Sequence, residues 1–167
     1  MRKIKNVCHV LVLIGAVMCG RSAVAQSFEY ANLFDARHLI AIQMTPPLVA
    51  SGDKAVDARF CKPIDGFACV TSEWLNFAVP SGIARLPTQW EQGGNEYKLV
   101  GAEKLALLGI RREVLRIESV RRGLRHRFLY SRRYGLVGFS SEVDGQSVTF
   151  VSQRAIGFGA VAASGWR

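Results

Sequence analysis

The residues of this chain best suited to chemistry are arginines. The stretch RREVLRIESVRRGLRHRFLYSRR, residues 111–133, holds nine arginines and only two acids, Glu113 and Glu118. A guanidinium is permanently charged and presents five donors in a planar fork, so such a cluster suits recognition of carboxylate, phosphate or sulfate groups better than proton transfer. Other reactive groups are sparse. Past residue 25 there are two histidines, His38 and His126, and two cysteines, Cys61 and Cys69. No G-x-S-x-G elbow, H-E-x-x-H helix or G-x-x-x-x-G-K-[ST] loop occurs. His126 alternates with Leu124 and Phe128, which marks a partly buried sheet residue rather than a catalytic base, and no spacing pairs Glu113, Glu118 or Glu142. We therefore expect a non-enzymatic protein with no catalytic residue, no cofactor and no metal.

The chain opens MRKIKNVCHVLVLIGAVMCGRSAVAQ: a basic start, an apolar run over residues 7–19, then Ala23-Val24-Ala25. Small residues at 23 and 25 suit a signal peptidase, so residues 1–25 read as a signal peptide. The apolar run is shorter than the roughly 20 residues that span a bilayer. Periplasmic or secreted localisation follows, with no membrane span once the leader is cleaved. Residues 26–167 remain, a length that one hydrophobic core can organise, with no repeat or long linker.

Removing the leader changes the electrostatics. The whole chain carries a formal +9, but Arg2, Lys3, Lys5 and Arg21 lie in the leader, leaving +5. The stretch 111–133 alone carries +7, so the rest of the mature chain carries −2. The positive excess is a property of one region.

Cys8 and Cys19 also fall in the leader, which leaves Cys61 and Cys69 as the only pair in an oxidising compartment. Their simplest fate is one disulfide; two thiols eight apart, with only two distant histidines, have poor zinc spacing.

These residues must be positioned by strands. Turn signals recur about every ten residues from Pro87 onward, the rhythm of a mainly β fold: a small antiparallel meander, barrel or sandwich, with one or two short helices allowed. Gly93-Gly94-Asn95 and Asp144-Gly145 read as hairpin turns, Ser51-Gly52-Asp53 and Asp65-Gly66 as tight turns. Residues 74–79 are apolar on both faces, which predicts a central, well-buried strand stopped by Pro80. LFDARHLIAIQM reads as a helix capped by Asp35 or as a strand over residues 39–44, and the tail GFGAVAASGWR carries no clear signal.

Residues 103–122 allow a helix, with Leu107, Ile110, Val114 and Ile117 on one stripe, or a strand leading into a hairpin. Downstream, Leu124, His126, Phe128 and Tyr130 alternate with Arg125, Arg127, Leu129 and Ser131. That is a strand with one apolar face, and a strand needs a partner, so the hairpin is favoured, with Leu115 and Ile117 toward the core. The pleat then places Arg112, Arg116, Arg125 and Arg127 on one solvent face, a candidate surface for an anionic glycan, a lipid headgroup or an acidic protein. The plainer reading is a charged coat that discourages edge-to-edge aggregation. Nucleic acid is a less favoured partner.

Two resemblances bear on function. RHRFLYSRRYGLVGFSSEVDGQSVTF is similar to the last strands of the barnase-type secreted ribonucleases, which implies an arginine, glutamate and histidine acting together on RNA. The position of that family's histidine falls in the loop Glu142-Val143-Asp144-Gly145-Gln146, which contains none. FCKPIDGFACVTSEWLNFAVPSG resembles the periplasmic lysozyme inhibitors in its cysteine, strand and Ser-Gly order. Lysozyme is basic, so the arginine face would repel that partner. An anion-binding module leads, with a ribonuclease-like hydrolase and a structural or assembly factor of the cell envelope as alternatives.

Overall fold

The computed structural model describes residues 26–107, 109–121, 123–143 and 145–160. The expected leader, residues 1–25, and the last seven residues of the tail lie outside this set.

Alternating apolar residues separated by short turns produce antiparallel hairpins throughout. The first four strands, β1 (Ser27–Asn32), β2 (Leu39–Met44), β3 (Pro47–Ser51) and β4 (Lys54–Asp57), form a meander. The ambiguous segment around residue 40 is thus a strand: Ile40 and Ile42 are buried while Leu39 is exposed and Ala41 and Gln43 are half-buried, a period of two rather than 3.6. A small sheet of order β5-β6-β7 follows, built from β5 (Arg59–Phe60), β6 (Phe67–Thr71) and β7 (Asn76–Pro80). Between β5 and β6 the chain makes a single 3-10 turn at Pro63–Asp65, and the Cys61–Cys69 disulfide closes across it.

The second half is a longer meander of β8 (Gln89–Gln92), β9 (Asn95–Leu107), β10 (Ile110–Arg121), β11 (Leu124–Ser131), β12 (Gly135–Val143) and β13 (Gln146–Ser152). Pairing of β1 with β13, Tyr30 opposite Ser152, joins both meanders into one ten-stranded antiparallel sheet of order β4-β3-β2-β1-β13-β12-β11-β10-β9-β8. The helix alternative for residues 103–122 is excluded: Gly109, at φ 73°, turns β9 into β10, and Gly123, at φ 80°, turns β10 into β11. Both turns need the left-handed backbone that glycine adopts without a Cβ penalty.

One core joins the two sheets. Ile117, Phe128, Phe139 and Phe150 are cross-strand neighbours in register on one side of the large sheet, and Tyr30 packs edge-on against Phe139 at 5.3 Å. The small sheet covers this side, with the Phe77 ring 5.1 Å from Phe128 and 6.0 Å from Tyr130. Burial of such aromatics is the main stabilising term, about 25 cal/mol per Å² of apolar surface removed from water. Two bulges interrupt the ladders: Val100 is extra in β9 opposite Arg116/Ile117, and Val137 is extra in β12 opposite Leu129/Tyr130. Bulges bend and further twist a sheet, which lets it curve around a core.

One expectation changes. The apolar strand of residues 74–79 is well buried as β7 and ends at Pro80, but it is an edge strand of the small sheet. Its burial comes from the large sheet against Phe77 and from Trp90, whose indole N–H donates to the Ala78 carbonyl at 3.0 Å. The tail over residues 156–160 is a structural strap. The Phe158 carbonyl accepts from Leu136 N–H at 2.7 Å, its amide donates to the Tyr30 hydroxyl at 3.0 Å, and its ring enters the core.

Candidate functional site

The pleat of the β10–β11 hairpin puts Ile117 and Phe128 toward the core and Arg116, Glu118, Arg125, Arg127 and Leu129 on the outer side. The ladder pairs are Arg116 with Leu129, Glu118 with Arg127 and Val120 with Arg125, so no arginine directly opposes another across these two strands. The Arg127 Nε lies 3.3 Å from Glu118 Oε1, with both side chains partly exposed. Arg125 has Glu142 as its partner on β12. An exposed pair of this kind contributes at most about 1 kcal/mol, so these acids soften the positive field without immobilising the arginines.

Arg116 is held differently. Its cross-strand partner on β9 is Gly101, and a Cβ there would meet the guanidinium Nη2 at 3.0 Å. The absence of a side chain lets the arginine lie close across the sheet. Arg116 and Arg127 meet over a recess of about 330 Å³ that also draws on Glu118, Leu129, Ser140 and Thr149. Two guanidinium groups, two hydroxyls and an apolar floor can hold an anion and the non-polar face attached to it.

The fourth expected residue, Arg112, does not belong to this surface. It follows the same pleat as Arg116, yet it is only 2% exposed, with its guanidinium carbon 4.8 Å above the Tyr134 ring. Tyr134 comes from the turn between β11 and β12, which no spacing within β10 reveals. Arg132, also in the basic stretch, donates from Nη1 to the Ile83 carbonyl at 2.8 Å and anchors the loop before β8. The arginine cluster therefore divides into packing, anchoring and surface roles.

The site also includes residues that sequence reasoning did not select. Ser140 and Thr149 are cross-strand partners on β12 and β13, and Gly101 and Glu118 set the positions of the two arginines. For Thr149 the signal in the sequence is the alternation of Ser147, Thr149 and Val151 with Val148, Phe150 and Ser152.

His126 sits on the opposite side of β11 from Arg125 and Arg127. Its Nδ1 is 2.9 Å from Ser141 Oγ and its ring lies against Phe128. His126 is thus on a different face from the Arg127–Glu118 pair. Among the described residues no group of three or more His, Cys, Asp or Glu side chains could hold a metal ion. No helix among them is long and apolar enough to cross a membrane, a statement that does not extend to strands. Comparison with family models, curated proteins and solved structures gives no match for this chain. The class that fold and site define is an antiparallel β protein with one disulfide and a basic surface recess.

Proposed function

We propose that this chain is an exported, non-enzymatic binding module that recognises an anionic envelope component or an acidic protein partner through the outer face of β10–β13. The recess that brings Arg116 and Arg127 together beside Ser140 and Thr149 carries this reading. Guanidinium groups pair in a forked, directional way with carboxylate, sulfate and phosphate oxygens, and the hydroxyls add neutral hydrogen bonds. Glu118 and Glu142, interleaved with the arginines, favour a ligand with spaced charges over the continuous phosphate track of a nucleic acid. The Cys61–Cys69 disulfide supports an oxidising compartment.

Retention on immobilised heparin, eluted with a salt gradient, tests the face. The double substitution Arg116→Glu and Arg127→Glu is expected to abolish retention while leaving the circular dichroism spectrum intact. Retention unchanged by that pair would dismiss the recess as the binding surface. Turnover of a fluorogenic RNA that survives rigorous purification would replace the binding reading with the hydrolase.

A further inference from the structure

We infer that a second site, an apolar cleft between the two sheets, takes the hydrocarbon chain of an anionic amphiphile. The cleft has a volume of about 600 Å³, within the range of roughly 300–1,000 Å³ common to small-molecule sites. Its walls come from separate parts of the chain: Phe28 on β1, Met44 at the end of β2, Phe60 on β5, and Ile156 and Phe158 on the strap. Arg133 is the only charged side chain among the described residues that line it.

Three observations support an acyl chain with an anionic head. First, the walls are preformed. Phe158 is pinned by Tyr30 and Leu136, its ring lies 5.7 Å from Phe28 and 5.6 Å from Phe60, and the Cys61–Cys69 bridge ties β5 to β6 at the cleft wall. A cavity that need not be ordered on binding loses little affinity to conformational entropy. Second, Met44 and Ile156 are 36% and 48% exposed, leaving apolar surface in water that an apolar ligand would cover. Third, Arg133 is exposed, and no acidic side chain among the described residues lies within ion-pair distance of it. A cation at the lip of an apolar cleft complements a carboxylate or phosphate whose attached chain enters the cleft.

This site is independent of the arginine face. Arg116 and Arg127 line a different recess, and the cleft proposal stands or falls without them. Carboxylate and phosphate heads share the same recognition chemistry, and the chain is the discriminating part.

Isothermal titration of the purified protein with octanoate, decanoate and dodecanoate, below their micellar concentrations, tests the assignment, with octyl and decyl glucosides as neutral counterparts. We expect saturable one-to-one binding that tightens about fourfold per added methylene. Arg133→Glu should weaken carboxylate binding by at least about tenfold and leave the glucosides unchanged. Ile156→Asp, at an exposed wall position, should weaken both series with an unaltered circular dichroism spectrum. Titrations repeated in the Arg116→Glu, Arg127→Glu background, which removes the other anion site, should retain this one-to-one, chain-length-dependent binding. Absence of saturable binding, affinity independent of chain length, or binding that survives both Arg133→Glu and Ile156→Asp would overturn the proposal.

Discussion

The guanidinium of Arg112 lies 4.8 Å above the ring of Tyr134, and two of its nitrogens, Nε and Nη2, are buried without a hydrogen-bond partner. Four residues along the same strand and on the same side of its pleat, Arg116 is exposed. The ring face supplies electrostatic attraction of about 2 kcal/mol when desolvated, which only partly offsets taking a charge out of water.

Replacing Arg112 by methionine should therefore stabilise the protein. A flexible apolar chain fills the same space without the desolvation penalty, and a gain of about 1–3 kcal/mol in urea denaturation is expected. Heparin retention should be unchanged by this substitution, in contrast to loss at Arg116 and Arg127. A destabilised Arg112→Met protein would show that the cation–ring contact outweighs the burial cost.

Replacing both cysteines by alanine removes a bridge that spans eight positions. Restriction of the unfolded chain by a loop of that size is worth about 2–3 kcal/mol. Comparing chemical denaturation of the two forms measures the loss, and a difference below about 1 kcal/mol would contradict the loop-entropy account.

The Tyr30 hydroxyl donates to the Leu136 carbonyl at 3.1 Å and accepts from Phe158 N–H at 3.0 Å. Tyr30→Phe leaves both backbone groups without that partner, at an expected cost of about 1–3 kcal/mol. Burial also raises the Tyr30 pKa well above the ordinary 10.0, with the Phe158 amide opposing the shift. The folded state thus favours the neutral phenol, so this group's stabilisation is complete below the unfolded value of 10.0 and is lost as pH rises above it. Between pH 10 and 12 the unaltered protein should lose stability more steeply than Tyr30→Phe, and parallel curves in denaturation at stepped pH would refute this.

Gly157 faces the backbone so closely that an added Cβ would clash with the Leu136 carbonyl oxygen. Gly157→Ala must displace the strap or the start of β12. A loss of about 3 kcal/mol is expected, with hydrogen exchange accelerated at Leu136 and Phe158 ahead of the β9–β11 core. A near-neutral effect in both measurements would mean that the strap relaxes freely.

The hairpin that carries the arginines was legible because Leu124, His126, Phe128 and Tyr130 repeat with a period of two, a local property of extended backbone. The competing helical stripe dissolves in the fold. Leu107 and Ile110 face each other across the Gly109 turn, while Val114 and Ile117 point to opposite sides of the sheet. The strap was not legible, since its glycines and small residues have no period; they are there to let the chain pass close to β12. The edge position of β7 was also hidden, because apolar residues on both faces report burial and not the number of hydrogen-bonded neighbours.

By itself, the sequence determined the strand pattern, most turns and the Cys61–Cys69 pairing, all set by neighbours close along the chain. The tertiary structure alone decided which outward positions stay in water. Tyr134 arrives over Arg112 from another turn, Gly101 admits Arg116 from the next strand, and β13 reaches β1 across more than a hundred residues. A pleat dictates the side on which a residue lies; long-range contacts dictate whether that side is covered, and that division reduces four expected surface arginines to three.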